Sequence, residues 1–198
     1  MKLYLNTASP FARLARVLLI ETKLDGDVEL VFIDPWKADG NLLAANPAAK
    51  IPVLALDGGT NLVESACIAD YLIHLSGSER LSPMAGANTA QRVEVLGLAR
   101  AAMDCAFGSV IQERFSPASP LIVRWLAALP RIADRLDALY AEIPGDAECD
   151  LGDLTTAVAL DYVDFRLGNL DWTYGRPYLT ERVKALGKRA SLATTRPE

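Results

Sequence analysis

The sequence predicts an α/β domain built on a mixed four-stranded sheet, followed by an all-α domain. In residues 1–76 short strand-like segments alternate with helical ones, whereas from residue 89 onward apolar residues recur only at helical spacing. A segment rich in Ser, Gly, Ala and Pro separates these two patterns. We therefore predict the α/β domain at 1–78, a linker at 79–86 and the helical domain at 87–198. With 51% hydrophobic residues in a chain of 198, such a fold can bury its core without disulfides.

The first half of the α/β domain has the pattern strand, helix, strand. Residues 2–6 are predicted to form a strand, and residues 10–23 a helix whose apolar stripe includes Phe11 and Leu18. Residues 28–33 are apolar at most positions of both alternating sets, which predicts a strand mostly buried on both faces. A strand–helix–strand unit of this kind requires a parallel pair of strands.

The second half adds a short helix, a hairpin and a closing helix. The helix at 39–45 is predicted to stop at Asn46-Pro47, because a residue before proline disfavours the helical conformation. Residues 53–56 and 61–63 flank Asp-Gly-Gly-Thr and are predicted to form a hairpin. A helix at 65–75 follows, so the predicted order is βαβαββα with parallel and antiparallel pairs in one sheet.

The second domain is predicted to contain only helices. The first covers 89–115 and is indicated by apolar residues at helical spacing: Val93, Leu96, Met103, Phe107 and Val110. Another follows Pro120, and Pro130 predicts an interruption within it, since proline lacks the N–H of a helical hydrogen bond. A third begins at Asp150, and the last is predicted over 178–186.

Composition argues against several classes of function. The 20 basic and 25 acidic residues give a formal charge of −5 with no basic cluster, which disfavours nucleic-acid binding. No run approaches the roughly 20 apolar residues of a membrane span, and the N-terminus lacks the apolar core of a secretory signal. The single His74 and three distant cysteines predict neither a zinc site nor a disulfide. We expect a cytoplasmic protein without a bound metal.

A candidate anion site follows the first predicted strand, in Thr-Ala-Ser-Pro-Phe-Ala-Arg at 7–13. Pro10 suits the first position of a helix, which makes Ser9 the N-cap, with its hydroxyl at the positive end of the helix dipole. A thiolate placed there would meet backbone N–H groups and a hydroxyl donor together. Ser9 also fits an ordinary cap, so the local sequence leaves both interpretations open.

Two further segments have residue types suited to binding a peptide-like ligand. Pro52 enters a strand, and a cis Ile51–Pro52 bond would turn the N–H and C=O of Ile51 outward, where an extended ligand could pair with them. In Glu64-Ser65, the serine caps a helix and could bind a carboxylate, while the glutamate could receive an ammonium group. The same pair is also typical of an ordinary helix start.

Taken together, these motifs resemble the glutathione-binding half of the cytosolic glutathione S-transferases. They are Ser-Pro-Phe after the first strand, Lys-Ile-Pro-Val before the third and Glu-Ser after the fourth. The resemblance covers the whole chain, is closest to short bacterial, serine-type members, and implies a thioredoxin-like first domain. Asp-Leu-Gly-Asp at 150–153 resembles the family's buried capping box, which usually begins with Ser or Thr. Asp150 would bring a buried charge that requires a compensating partner.

The resemblance also implies roles for individual residues. Ser9 matches the position that activates the glutathione thiol in serine-type members. Ile51 matches the residue whose backbone pairs with the cysteinyl part of glutathione, and Pro52 is expected to be cis. Glu64 and Ser65 match the pair that holds the γ-glutamyl amino and carboxylate groups.

The other contacts of the ligands are less closely defined. Lys37 or Lys50 is a candidate for the glycyl carboxylate, and either also fits a solvated lysine. The electrophile site is expected between the domains, where Met103, Cys105 and Phe107 could line it; residues at this helical spacing also fit a core.

The resemblance implies an enzyme of detoxification that uses glutathione as co-substrate, acts on small hydrophobic electrophiles and forms a homodimer. The alternative is a non-catalytic member of the fold that binds a partner or ligand. Thiol–disulfide exchange is disfavoured, because Ser-Pro-Phe-Ala at 9–12 contains no cysteine.

Overall fold

The computed structural model describes residues 1–37, 39–85 and 88–198. A single mixed sheet has the strand order β2-β1-β3-β4. The strands are β1 (Lys2–Leu5), β2 (Glu29–Phe32), β3 (Val53–Ala55) and β4 (Asn61–Val63). β1 and β2 are parallel, whereas β3 pairs antiparallel with both β1 and β4. The predicted sheet and its element order are confirmed.

Helices cover both faces of the sheet. They are α1 (Pro10–Glu21), α2 (Gly40–Ala45) and α3 (Ser65–Ser76). Because side chains alternate along a strand, Leu3 and Leu5 of β1 join the main core with α1 and α3. Tyr4 faces the other way and packs against a smaller cluster that includes Leu42 of α2.

The prediction that the strand at 28–33 is mostly buried on both faces is wrong. Leu30 and Val31 are half-buried, and Phe32 is 57% exposed. The physical reason is the strand order, since β2 forms an edge of the sheet and has only β1 as a neighbour. An apolar run does not distinguish an edge strand from a central one.

The second part of the chain is helical, as predicted. Its helices are α4 (Thr89–Phe115), α5 (Pro120–Glu142), α6 (Leu151–Arg166), α7 (Pro177–Leu186) and the short α8 (Ala190–Ala193). α4 packs along both α5 and α6. No helix in the described ranges is long and apolar enough to cross a membrane. The predicted linker begins with a 3₁₀ turn at Glu79–Leu81. Its end at residue 86 and the domain start at 87 lie outside the described residues.

The predicted interruption at Pro130 does not occur, because α5 is continuous through this residue. Leu129, Ala133 and Leu136 are buried on the adjacent turns, so packing compensates for the one hydrogen bond that proline removes. The carbonyl oxygen of Pro130 also accepts a hydrogen bond from Arg176 at 3.3 Å. Among the apolar positions predicted along α4, Val93 is exposed.

The start of α6 is a buried capping box. Asp150 Oδ1 accepts from the N–H of Asp153 at 3.0 Å, and Asp153 Oδ2 accepts from the N–H of Asp150 at 3.1 Å. Arg92 Nε donates to Asp150 at 2.6 Å, and Arg182 donates to Asp153 at 2.7 Å. These arginines are the compensating partners that a box begun by aspartate requires. A Cβ on Gly152 would lie 3.2 Å from the α4 backbone, so glycine permits this close approach.

Candidate functional site

The strand register brings three of the predicted segments together at the strand ends on one side of the sheet. We call this line of strand ends the site edge, as distinct from the edge strand β2. Tyr4 near the end of β1 lies opposite Val53 at the start of β3, and Val53 lies opposite Val63 at the end of β4. β1 and β4 therefore end where β3 begins. The residues at this edge are Ser9, Ile51, Pro52, Glu64 and Ser65.

Ser9 is the N-cap of α1 and is 8% exposed. Its Oγ accepts a hydrogen bond from the N–H of Ala12 at 3.3 Å, and Pro10 begins the helix. The hydroxyl proton is not used in that bond and remains available to a ligand. Asn6 Oδ1 accepts from the Ser9 N–H at 2.7 Å and fixes the loop between β1 and α1. Sequence reasoning missed Asn6, although asparagine commonly organises such turns.

The Ile51–Pro52 peptide bond is cis, as expected. Pro52 is buried, and Ile51 lies outside the β3 ladder, which begins at Val53. The loop before them depends on Asn46, whose buried side chain donates to the carbonyl of Lys50 at 2.8 Å and accepts from the loop backbone at 3.0 Å. In the sequence this asparagine only marked the end of a helix.

The start of α3 differs from the expectation that Ser65 caps it. Glu64 occupies the cap position with φ 65°, and Ser65 is the first helical residue. The positive φ of Glu64 turns the chain so that the helical conformation begins at the next residue. Backbone in this sparsely populated region is often found at ligand sites. No side chain caps α3 in the described part of the chain, so its first N–H groups have no side-chain acceptor.

The two candidate lysines face solvent. Lys37 belongs to a 3₁₀ turn at Pro35–Lys37, and its ammonium group lies 3.8 Å from the Asp34 carboxylate. Lys50 is exposed in the loop before β3. Which of the two reaches a glycyl carboxylate stays a prediction.

Helix α4 lies opposite the residues at the site edge of the sheet. The Phe11 and Phe107 rings meet edge to face with centroids 5.3 Å apart, so α4 lies close to the residues that follow Ser9. Cys105 is half-buried, and burial raises the pKa of its thiol. Met103 is 1% exposed and belongs to the core, contrary to the expectation that it lines an open site. The reason is that α4 is packed on two sides, by α5 and α6.

A second aromatic contact lies at the C-terminal end of α4, which we call its outer end, and it was not predicted from the sequence. The Trp36 and Phe115 rings are 5.0 Å apart, and the Arg114 guanidinium lies 5.3 Å from the Trp36 centroid. The sequence gives no signal for this cluster, because its members come from segments about 80 residues apart.

Arg13 is buried, and its contacts make its role structural. Its guanidinium donates to Asp161 at 2.7 Å, to Thr195 Oγ1 at 3.3 Å and to the Leu192 carbonyl at 3.1 Å. Across residues 1–37, 39–85 and 88–198, no three His, Cys, Asp or Glu side chains converge on a possible metal site.

Comparison with known proteins agrees with this arrangement. The family model of the glutathione S-transferase N-terminal domain matches residues 8–75. An uncharacterized GST-like protein of Escherichia coli K12, YibF, is 29% identical over all of this chain and 98% of its own length.

Solved structures extend the likeness to the whole fold. A glutathione transferase family member from Pseudomonas fluorescens Pf-5, with bound glutathione, is 30% identical with a TM-score of 0.87 over 100% of this chain and 98% of its own. The family member from that strain with bound S-(propanoic acid)-glutathione is 29% identical, with a TM-score of 0.84 over 100% of both chains. The chain therefore belongs to the glutathione S-transferase family.

Proposed function

We propose that the protein is a transferase that activates the glutathione thiol and adds it to small hydrophobic electrophiles. The observation that carries this proposal is the location of the Ser9 hydroxyl. It lies at the N-terminus of α1, at the site edge that also holds Pro52 and Glu64. The Pseudomonas fluorescens relatives bind glutathione and a glutathione that already has a substituent, which supports both halves of the proposed site.

The chemistry starts with ionisation of the thiol. A free cysteine thiol has a pKa near 8.5, so only a small fraction is thiolate at neutral pH. A hydrogen bond from Ser9 and the positive end of α1 both favour the charged form and lower that pKa. The first turn of α1 contains no acidic residue that would offset this effect. The proton leaves to solvent, and the thiolate forms an S–C bond while the displaced electron pair moves to a leaving group or a conjugated acceptor.

Glutathione is held by groups on the other two segments. The exposed Glu64 receives the γ-glutamyl ammonium group, and Ser65 with the first N–H groups of α3 receives the carboxylate. The backbone of Ile51 pairs with the cysteinyl part. The pKa of Asp104 on α4 is raised chiefly by burial; the charge of Arg100 lowers it and that of Glu64 raises it, so Asp104 and Glu64 are close enough to interact and both can face an ammonium group.

The electrophile site lies where α4 faces the site edge, with Phe107 against Phe11.

We also propose a homodimer in which the first domain of one chain contacts the helical domain of the other, an arrangement that two-fold symmetry makes self-complementary. The exposed Cys67 thiol suits a reducing compartment, and we assign the protein to the cytoplasm and to detoxification.

The proposal is tested by ultraviolet titration of bound glutathione in the wild type, Ser9→Ala and Ser9→Gly. A hydrogen bond to a charged group contributes about 1.5–3 kcal/mol, so its loss raises the thiol pKa by about one to two units. Ser9→Ala also removes the hydrogen bond that caps the Ala12 N–H, which lowers the free energy of unfolding by about 1 kcal/mol. Glycine at an N-cap position lowers it by only a few tenths of a kcal/mol. Both variants should therefore show the pKa rise, but only Ser9→Ala a clear loss of stability.

The same variants should lower glutathione-dependent turnover for every reactive member of a panel of electrophiles. Titration curves identical to the wild type would remove Ser9 from the mechanism. Binding of glutathione with no turnover above background, together with a stoichiometric protein partner, would replace this proposal with the non-catalytic binding module.

A further inference from the structure

The outer end of α4 presents a cation framed by two aromatic rings. The Arg114 guanidinium lies 5.3 Å from the Trp36 centroid and 5.2 Å from that of Phe115. Trp36 is 53% exposed and Phe115 is 59% exposed. An exposed apolar area of this kind is a surface that a ligand can cover.

The Arg114 guanidinium forms no salt bridge in the described part of the chain, whereas Arg13, Arg92, Arg176 and Arg182 are all paired. Lys37 follows Trp36 in the chain. Its ammonium group lies 3.8 Å from the Asp34 carboxylate, which offsets its charge. Arg114 is therefore a guanidinium without an ion-pair partner in the described residues, beside the exposed rings of Trp36 and Phe115.

Helix geometry connects this cation to the thiol end of the proposed site. Phe107 and Arg114 are seven residues apart on α4, so they lie on one face, separated by about 10 Å along the axis. Ile111, one turn after Phe107, is half-buried between them. At the inner end Phe107 contacts Phe11, two residues from Ser9. An apolar stripe thus leads from the thiol-activating serine to the guanidinium.

We propose that Arg114 selects electrophiles that have an apolar, flat body and a carboxylate at the end remote from the reactive carbon. The body lies along Phe107 and Ile111, and the carboxylate meets the guanidinium. A planar guanidinium fork matches both oxygens of a carboxylate, and the two rings restrict its orientation. This inference rests on the proposed function, because it needs the adduct's sulfur at Ser9.

The test measures binding rather than turnover, by calorimetry with two glutathione adducts of equal shape. The probes are S-(4-carboxybenzyl)glutathione and S-(4-carbamoylbenzyl)glutathione, which differ only in the charge of the remote group. The wild type should bind the carboxylate about fivefold more tightly, as an exposed charge pair allows, with a preference that falls as salt is added. Arg114→Gln should abolish the preference, and Arg114→Lys should retain part of it.

Arg124→Gln is the matched control, since Arg124 is also exposed and unpaired among the described residues but lies on α5. Its preference should equal that of the wild type. Equal affinity of the wild type for both adducts, or a preference that survives Arg114→Gln, would overturn the inference and leave the proposed function standing. Equal weakening of both adducts by Arg114→Gln would also overturn it, because Arg114 would then hold glutathione's own carboxylate. If neither adduct binds the wild type, the proposed function fails and the inference fails with it.

Discussion

Replacing Arg92 by methionine tests how the charge in the capping box is held. The Asp150 side chain is 7% exposed, and its Oδ2 accepts from Arg92 Nε at 2.6 Å. Methionine keeps much of the apolar stem of arginine but removes the charge. Loss of one partner of a buried ion pair costs about 3–5 kcal/mol, because the remaining charge is uncompensated. Arg92 and Asp150 border a small surface cavity that admits water, which can partly solvate the remaining charge. We therefore expect Arg92→Met to lower the free energy of unfolding by about 3 kcal/mol, the lower end of that range.

Asp150→Ser is the matched change on the other side of the pair. The serine hydroxyl still accepts from the Asp153 N–H, and Arg92 keeps its 2.6 Å hydrogen bond to the Ala85 carbonyl. We therefore expect a smaller loss, about 1 kcal/mol. In the double variant the buried charge and its partner are both absent, so its loss should fall below the sum of the single losses by about 1.5 kcal/mol or more.

The pH dependence provides a second readout. Burial, and next the charge of Asp153, raise the pKa of Asp150, while Arg92 opposes this rise. A carboxyl with a higher pKa in the folded than in the unfolded state contributes stability at low pH that is lost as pH rises through the folded pKa. Removing Arg92 raises the folded pKa further, so the deficit of Arg92→Met should be smaller at pH 5 than at pH 8.

Urea unfolding followed by tryptophan fluorescence measures these differences in the free energy of unfolding. A loss within about 0.5 kcal/mol for Arg92→Met, additive with that of Asp150→Ser, would refute the reasoning. So would a deficit that grows at pH 5, since protonation of Asp150 removes the charge that Arg92 compensates.

Three further predictions concern packing, ligand binding and assembly. A methyl group on Gly108 would lie 2.8 Å from the Trp125 ring, so Gly108→Ala should destabilise by about 1–3 kcal/mol. Gly97 on the same helix has open space, so Gly97→Ala should stabilise by about 0.5–1 kcal/mol; melting temperatures in the opposite order contradict this. Glu64→Ala should weaken glutathione binding at least about tenfold in calorimetry without lowering the melting temperature, and normal binding with early melting would make Glu64 structural. Light scattering should give twice the 21.4 kDa chain mass, whereas one chain mass over a wide concentration range would contradict a dimer.

The site edge of the sheet was predictable because its signals are local and each is attached to a strand end. Pro10 fixes the start of α1, and Pro52 marks the start of a strand, so the sequence locates both within a residue. The parallel unit and the hairpin then leave few ways to arrange four strands. The start of α3 at Ser65 was also predicted, but its cap was misassigned, because the positive φ of Glu64 has no signature in a non-glycine residue.

What the sequence could not predict depends on contacts between distant segments. The exposure of Phe32 follows from the edge position of β2, and Pro130 is tolerated because neighbouring turns pack on the helices around it. The meeting of Trp36 with Phe115 requires the relative placement of the sheet and α4. Hydrophobic periodicity reports which face of an element is apolar, but not which other element covers it.

Helix α1, which begins after Ser9, is held at both ends by the helical part of the chain. Near its start the buried Arg13 donates to Asp161 of α6 at 2.7 Å. At its end Glu21 accepts two hydrogen bonds from Arg189, at 2.8 and 2.6 Å. Burial alone would raise the pKa of Glu21, but hydrogen bonds, first that from Arg189, outweigh it and lower this pKa, so the pair is charged at neutral pH. Since a hydroxyl stabilises a thiolate only at the right distance, we infer that the helical part also positions the group proposed to ionise the thiol.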